Sequence, residues 1–428
     1  MRKIIFVILV VFMLLSTDAG YSQYYLGVVQ GETKKIPLAV LDIYDATGNG
    51  SLRKQALDVL HSDLNRSEIF EIMDPDKLDL HYTEKTEPKQ EVIRRGGTFG
   101  LAGIIWASLR RENKNLILSG RVYDAASGMR IASKEYYGNE ETLRRMIHTF
   151  ADEIVFRYTG EKGIAGTRIA YVSDKTKSKE LYVMDYDGHN SMRLTVDRSI
   201  CLSPAWIPDG KILAYVSYRD KNPDIFALDM HTGKRWKLSG KEGLNISPSW
   251  SPDGKRIALA LSRDGSAEIY TMAKDGKDLE RLTYGTYDNV SPTWSPTGRQ
   301  IAFTSSRGGT PQIYVMGDDG TDVHRITFEG VYNSSPQWSP RGDKIAFVSQ
   351  VNGLFKIAIM NTDGSGFRLL TNGQGNDENP TWSPSGRQIA FSSNREGKSN
   401  IYTMSVNGTN IQRITPNDAN YTSPAWSP

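Results

Sequence analysis

Cysteine is almost absent from this chain, since Cys201 is the only one among 428 residues. A single cysteine cannot form an internal disulfide, so the fold has to rely on burial of apolar side chains, which a chain of this length can supply. No cysteine lies near the amino-terminal apolar segment. This absence excludes attachment of a lipid through an amino-terminal cysteine.

No strong excess of either charge is present. The 52 lysines and arginines nearly balance the 49 acidic residues, which leaves a formal net charge of +3. Because no run rich in lysine and arginine occurs either, the sequence argues against nucleic acid as a partner.

Long hydrophobic runs are missing beyond the amino terminus. Arg2 and Lys3 precede twelve apolar residues, Ile4 to Leu15, a stretch too short for a membrane-spanning helix of about 20 residues. The pattern predicts a secretory signal peptide over residues 1–22 and a mature chain that is not embedded in a membrane. In a bacterium with two membranes, such a protein is exported to the periplasm.

Motifs typical of enzymes are also missing. A serine peptidase of the α/β-hydrolase class needs a G-x-S-x-G turn on an α/β-hydrolase domain, and the sequence contains neither. No phosphate-binding loop occurs. The histidines at positions 61, 81, 148, 189, 231 and 324 show no metal-ligand spacing, and we interpret them as surface or turn residues. We therefore predict a protein that is not an enzyme, with no catalytic residue, no metal and no cofactor.

What the chain does contain is a repeat of 44 residues. Each unit carries a phrase such as SPSWSPDG, followed by an apolar run that begins seven residues after the tryptophan. A period of about 40–50 residues with four short strands per unit is typical of a β-propeller, because one blade cannot bury both of its faces alone. The repeated tryptophans are Trp206, Trp250, Trp294, Trp338, Trp382 and Trp426.

The phase of the repeat predicts how the ring closes. Trp426 has no apolar run behind it, whereas the run Ile169 to Ser173 has no tryptophan ahead of it. The two halves complete one another, so we predict six blades, with the carboxy-terminal strand pairing with the first propeller segments. Such closure removes an open sheet edge that would otherwise promote aggregation.

The segment before the propeller has no repeat and predicts a small α/β domain. We predict strands over residues 35–43, 69–73, 104–109, 116–123 and 130–136, and helices over residues 51–65, 91–100 and 140–158. We assign an amino-terminal arm to residues 23–34, the α/β domain to 35–158, a flexible glycine-containing link to 159–167 and the propeller to 168–428. The predicted class is therefore mainly β, with an α/β amino-terminal domain and a six-bladed propeller.

Two sets of loops should lie on one face of the propeller. One set leads into the innermost strand of each blade, and the other joins the second strand to the third. Because strands alternate in direction, both sets stand at the same end of the blade. One interpretation is that their polar side chains satisfy loop carbonyls within or between blades. The other is a ring around a central funnel, the propeller mouth, that binds a peptide or a protein; both can hold together. The predicted mouth residues are Arg219, Asn245, Arg263, Asn289, Ser291, Arg307, Asn333, Asp377, Glu378 and Tyr421.

The order of these segments resembles the TolB family, the periplasmic components of the Tol-Pal envelope system. The phrase TGEKGIAGTRIAYVS (Thr159 to Ser173) and the closing segment SPAWSP carry the resemblance most specifically. The resemblance implies a non-enzymatic adaptor whose propeller binds the lipoprotein Pal and whose amino-terminal arm binds the carboxy-terminal domain of TolA. It also implies a role in outer-membrane integrity and in envelope constriction at cell division. On this chain the arm residues are Tyr24, Tyr25, Leu26, Val28 and Val29.

A second class of function stays open at this point. A periplasmic propeller can also act as a hydrolase or as a ligand sensor through its central pocket. For either function we expect a monomer.

Overall fold

The computed structural model describes residues 28–29, 32–80, 82 and 85–428. Among them, no helix is both long enough and apolar enough to cross a membrane. The amino-terminal elements are β1 (Val28–Val29), β2 (Glu32–Thr33), β3 (Ile36–Val40), β4 (Tyr44–Asp45), α1 (Gly50–Arg66), β5 (Phe70–Met73), a 3₁₀ helix (Pro75–Leu78), α2 (Gln90–Thr98), β6 (Gly103–Glu112), β7 (Asn115–Asp124), β8 (Arg130–Gly138) and α3 (Leu143–Thr159).

The amino-terminal region is an α/β domain built on one mixed sheet. Its strand order is β5-β3-β6-β7-β8, and β4 pairs with β6. Helices α1 and α3 pack on each other and cover one face, where Leu60, Phe150 and Ile154 are buried. Helix α2 contributes Ile93 to a second apolar cluster, with Ile104 and Trp106 of β6. The predicted helices and strands of this region are all present, with ends shifted by a few residues.

The propeller consists of six four-stranded antiparallel sheets. Its strands are β9 (Arg168–Ser173), β10 (Glu180–Asp185), β11 (Met192–Arg193), β12 (Cys201–Trp206), β13 (Ile212–Ser217), β14 (Asp224–Asp229), β15 (Arg235–Ser239), β16 (Asn245–Trp250), β17 (Arg256–Leu261), β18 (Glu268–Ala273), β19 (Glu280–Arg281), β20 (Asn289–Trp294), β21 (Gln300–Ser305), β22 (Gln312–Gly317), β23 (His324–Arg325), β24 (Asn333–Trp338), β25 (Lys344–Val351), β26 (Leu354–Asn361), β27 (Arg368–Leu369), β28 (Asp377–Trp382), β29 (Gln388–Glu396), β30 (Lys398–Ser405), β31 (Gln412–Arg413) and β32 (Tyr421–Trp426).

The ring closes as the phase of the repeat predicts. The last strand, β32, is the innermost strand of the blade formed with β9, β10 and β11. It pairs antiparallel with β9, with Tyr421 opposite Ser173 and Trp426 opposite Ile169. One blade therefore combines strands from the two ends of the propeller sequence.

Each blade depends on its neighbours for burial. The two middle strands of a blade are almost wholly buried, because both of their faces pack against adjacent blades. The repeated tryptophans link the blades as well. The indole N–H of Trp250 donates to the carbonyl of Ala205 at 3.2 Å, and that of Trp294 donates to the carbonyl of Ser249 at 3.1 Å.

The link between α3 and β9 differs from the flexible segment that its glycines suggest. Ile164 and Ala165 are buried, and the carboxylate of Asp152 on α3 accepts hydrogen bonds from the amides of Ala165 and Gly166, both at 2.8 Å. A Cβ at Gly163 would lie 2.0 Å from a carboxylate oxygen of Asp152. The glycines therefore permit close packing of the link against α3.

The arm lies largely outside the described residues. Tyr24, Tyr25 and Leu26 are among the residues whose structure is not described, and Val28–Val29 pairs antiparallel with Glu32–Thr33.

Candidate protein-binding faces of the propeller

The propeller has two faces, which we name by the direction of the innermost strands. These strands begin at the upper face and end, at the tryptophans, at the lower face. They surround a central channel of about 830 Å³. Each innermost strand also carries a β-bulge with one non-glycine residue at positive φ, a backbone conformation that such residues adopt uncommonly. These residues line the channel: Ser203, Ser247, Ser291, Ser335, Asn379 and Ser423.

The lower face is partly covered by the chain's own α/β domain. The side-chain amide of Gln388 donates to the carbonyl of Arg66, and the hydroxyl of Ser405 donates to Glu68 at 2.7 Å. Glu161 of the link lies at the lower end of the channel, where its carboxylate pairs with Arg341 at 3.2 Å and with Arg387 at 3.0 Å. This face has less room for a partner than the upper one.

The predicted ring of asparagines connects neighbouring blades. Asn289 is fully buried, and its side-chain amide donates at 2.7 Å to Glu268 of the preceding blade. The same carboxylate accepts from the Thr283 hydroxyl at 2.5 Å. One repeat later, Asn333 and Thr327 both donate to the side-chain oxygen of Gln312. These asparagines therefore act as buried inter-blade links and expose no surface to a partner.

Asn245 and Asp377 occupy equivalent buried positions. Asn245 accepts a hydrogen bond from Ser239 at 2.6 Å and donates to the carbonyls of Lys241 and Gly243. Asp377 pairs with the buried Lys356 at 3.3 Å and with Arg395 at 2.9 Å. For this series the structure thus shows the first interpretation, in which the side chains satisfy groups within and between blades.

Cys201 and Tyr421 occupy the same position of the 44-residue repeat as Asn245, Asn289, Asn333 and Asp377. Both are buried, and the phenol of Tyr421 donates to Asp418. Burial raises the pKa of the Cys201 thiol to about 12. A thiol held protonated in this way is unreactive.

The arginine series confirms that the two loop sets share the upper face. The Arg307 guanidinium donates to the side-chain oxygen of Asn289 at 3.3 Å. Arg219 stacks 4.6 Å from the Phe226 ring centre, and Arg263 contacts Asp264.

The remaining predicted residues fall in two places. Ser291 lies in the channel wall, whereas Glu378 is exposed. Arg219, Arg263 and Glu378 are thus the predicted mouth residues that are most accessible.

Sequence reasoning missed an apolar patch on the upper face. It lies on the loops that lead into the innermost strands, and its most exposed members are Phe328 at 74%, Val331 at 69% and Tyr284 at 67%. Arg281 stacks 4.6 Å from the ring centre of Tyr284. Tyr284 and Phe328 stand one repeat apart, a signal that inspection of the polar positions overlooked. The whole patch, here called the upper apolar patch, comprises Val196, Ile200, Leu244, Tyr284, Phe328 and Val331.

Among the described histidines, a set that excludes His81, His148 differs most from the surface or turn role predicted for them. His148 is buried, with its Nδ1 atom 2.7 Å from Asp63 and its Nε2 atom 3.9 Å from Asp187. Among the described residues, these three form the one group whose spacing could place ligand atoms around a metal ion. The two carboxylates lie on opposite nitrogens of the ring, and Arg144 contacts Asp187. In that arrangement the imidazole bridges two carboxylates. A metal site would instead require all ligand atoms to converge on one point.

Fold and faces together define a class of protein, a six-bladed propeller that carries a small α/β domain on its lower face. A family model described as "TolB beta propeller domain" matches residues 155–428, and one described as "TolB amino-terminal domain" matches residues 24–131. The chain belongs to the TolB family.

Individual relatives agree with this assignment. "Protein TolB homolog" of Chlorobium chlorochromatii is 36% identical over 194 residues, which cover 44% of this chain and 43% of the relative. "Tol-Pal system protein TolB" of Geobacter sulfurreducens is 48% identical over 93 residues, or 22% of each chain. The matched segments thus span less than half the length of these relatives. The crystal structure of TolB from Acinetobacter baumannii superposes with a TM-score of 0.78 at 27% identity, covering 92% of this chain and 97% of that one.

Proposed function

We propose that this protein is a periplasmic adaptor of a Tol-Pal system that binds Pal at the upper face of its propeller. In this role it supports outer-membrane integrity and envelope constriction at cell division. The observation that carries the proposal is the contrast between the faces. The lower face packs on the α/β domain, whereas the upper face exposes the upper apolar patch.

The chemistry of the upper face suits a protein partner. Exposed aromatic and aliphatic side chains bordered by arginine are the composition that protein interfaces favour. Tyr284 and Phe328 are each stacked by an arginine, which holds the rings in place and reduces the conformational entropy lost on binding. Arg219, Arg263 and Glu378 supply accessible charges on the same face.

The channel wall gives little support to the alternative of a hydrolase. Serine, proline and tryptophan dominate its lining. The ionisable lining residues are Glu161, Lys162 and Arg341 at the lower end, where Glu161 is paired with arginine. A hydrolase needs a positioned acid or base beside the substrate, and the described wall offers no such pair.

Replacing Phe328 and Val331 together by serine is expected to weaken Pal binding by at least about 2 kcal/mol, or about 30-fold, if the patch contains binding hot spots. Titration calorimetry with the periplasmic domain of Pal measures the affinity. Because both side chains are exposed, the melting temperature should stay close to that of the unchanged protein.

Met192→Ser is the matched control, because Met192 is 54% exposed on the outermost strand β11, away from the upper face. It should bind Pal with unchanged affinity. If the double variant binds Pal as tightly as the control does, the contact lies elsewhere.

The arm is the second binding element that we propose, with the TolA carboxy-terminal domain as its partner. Its support is the family assignment and the hairpin that Val28–Val29 forms with Glu32–Thr33. A short extended segment of this kind can add to the edge of a partner's sheet through main-chain hydrogen bonds.

Replacing residues 23–30 by a glycine-serine segment of equal length is expected to reduce TolA binding at least about tenfold and to leave Pal binding unchanged. The replacement keeps the chain length but removes the apolar side chains that a partner's pockets would recognise. Surface plasmon resonance with immobilised TolA domain measures the change. Equal TolA affinity for both proteins would reject the arm as the binding element.

A further inference from the structure

A buried ion network joins the α/β domain to the propeller. Asp63 lies on α1, His148 and Arg144 lie on α3, and Tyr186 and Asp187 lie in the turn after β10. The side chains of Asp63, His148 and Asp187 are 0%, 3% and 5% exposed. We call these five residues the interdomain network.

The contacts of the interdomain network cross the domain boundary at three places, one of which is the ion pair of Arg144 with Asp187. Asp63 accepts a hydrogen bond from the Tyr186 hydroxyl at 2.7 Å and contacts His148 Nδ1 at 2.7 Å. On the far side of the imidazole ring, Nε2 faces Asp187 at 3.9 Å. The imidazole thus stands between a carboxylate of its own domain and a carboxylate of the propeller.

The surroundings of the network are apolar. One continuous core runs from Leu64 and Ile147 in the α/β domain to Ile414 and Trp426 in the propeller. Burial in such a core strengthens the effect of any charge that lacks a partner.

The proton state of His148 therefore decides whether the network is satisfied. A neutral imidazole donates from one nitrogen only; when it donates to Asp63, its other nitrogen presents a lone pair to the negative Asp187. An imidazolium donates from both nitrogens. It also balances the two carboxylates, of which Asp187 already pairs with the guanidinium of Arg144 and lies 3.3 Å from Nδ1 of His189. In this structure Nε2 has no hydrogen-bond partner within the described part of the chain.

We propose that His148 is a proton-operated latch that holds the α/β domain on the lower face of the propeller. When His148 carries a proton, both carboxylates are paired and the domains stay docked. When it loses the proton, Asp187 and the Nε2 lone pair repel one another across the interface, and docking weakens.

The pKa directions agree with this geometry. Burial by itself would lower the pKa of His148, but the hydrogen bond to Asp63 and the charges of Asp63 and Asp187 outweigh it and raise the pKa above its ordinary 6.5. A raised pKa in the folded state means that the latch stabilises docking fully below pH 6.5 and that this stabilisation is lost as the pH rises through the raised value.

The other titratable groups around the imidazole set the limits of this window. Burial opposes ionisation of Asp187, yet the charges of Arg144 and His148 lower its pKa, so it stays charged. Burial raises the pKa of Asp63. When the pH falls through that pKa, the Asp63 carboxylate becomes neutral and its charge no longer stabilises protonated His148, which sets the acid limit of the window. Burial also raises the pKa of Asp152, on α3, to about 6, so its charge favours protonated His148 above that pH. The imidazole of His189, the guanidinium of Arg66 and the carboxylate of Asp185 also lie near the turn after β10.

The test measures docking directly. The native Cys201 is buried, so cysteines introduced in place of the exposed Lys114 and Lys234 accept spin labels selectively. Pulsed dipolar spectroscopy then reports the distance between the α/β domain and the propeller in the full chain. We expect the undocked population to rise at least about tenfold between pH 6.5 and about pH 9.

His148→Gln is the key variant, because glutamine can donate to Asp63 but cannot carry a charge. This variant should show the enlarged undocked population at both pH values. The control His324→Gln, at an exposed histidine on the outermost strand β23 of another blade, should follow the unchanged protein. The nuclear magnetic resonance titration of His148 in the unchanged protein provides a readout that needs no variant, and it should occur above pH 6.5.

Three outcomes would overturn the latch. The first is a His148 titration at or below its ordinary value, and the second is a distance distribution that does not change with pH. The third is a pH profile that shifts when zinc or a chelator is added, since this would make the imidazole a metal ligand.

Discussion

Deleting Thr422–Pro428 is expected to lower the melting temperature by more than about 10 °C, which is well beyond the few degrees that a loss of about 1 kcal/mol produces. The deletion removes most of β32, whose ladder with β9 closes the ring. It also removes Trp426, which is buried at the junction with the link and donates its indole N–H to Thr167 at 2.8 Å. Strand β9 then becomes an exposed edge that can pair with other chains. Differential scanning calorimetry and light scattering measure both effects.

Deletion of Pro428 alone is the matched control, because that residue is exposed and lies beyond β32. The control should melt close to the unchanged protein and stay monodisperse. A truncated protein that melts like the control would show that β32 contributes little to closure, contrary to the pairing described above.

Replacing Lys356 by methionine is expected to lower the free energy of unfolding by about 3 kcal/mol. Lys356 is buried and donates to the carbonyl of Gly375 at 2.6 Å as well as pairing with Asp377. Methionine has about the volume of the lysine side chain but carries no charge. Among the described ion pairs, the fully buried Asp377 then keeps only its pair with Arg395. Removing one partner of a buried ion pair costs more than removing both, because the remaining charge stays in the interior. Denaturant unfolding measures the loss.

The neighbouring blade supplies the control for this prediction. Its equivalent residues are Gln312 and Asn333, which make the same inter-blade contact without charge. The double variant Lys356→Gln with Asp377→Asn copies that pair and should recover at least half of the lost stability. A double variant that is less stable than Lys356→Met would contradict the prediction, because it would show that Gln and Asn cannot replace the ion pair of Lys356 and Asp377.

The repeat made most of the propeller predictable. Each blade packs only against its neighbours, so one period in the sequence corresponds to one blade in space. The phase of that period also identified the blade that combines Ile169 to Ser173 with the strand around Trp426, and the pairing of β9 with β32 confirms it. The α/β elements were found for a similar local reason, since helix and strand periods appear within short windows.

The candidate site was harder to predict, because spacing identifies the end of a blade on which a residue lies but not the direction of its side chain. Asn289 stands at the upper face as expected, yet it turns inward to Glu268, 21 residues earlier in the chain. Phe328 stands close to the same face and points outward. Whether a side chain is exposed there depends on which side chains of the neighbouring blade it can contact. The spacing of residues within one repeat does not contain this information.

The sequence by itself determined the number of blades, the closing strand and the α/β elements, since each of these follows from local periodicity and neighbour packing. Only the tertiary structure decided that the α/β domain covers the lower face and that His148 lies between Asp63 and Asp187. Asp63 and His148 are 85 residues apart in sequence, and Asp187 belongs to another domain. Docking of two separately formed surfaces brings them together, and no periodic pattern in the chain encodes that contact.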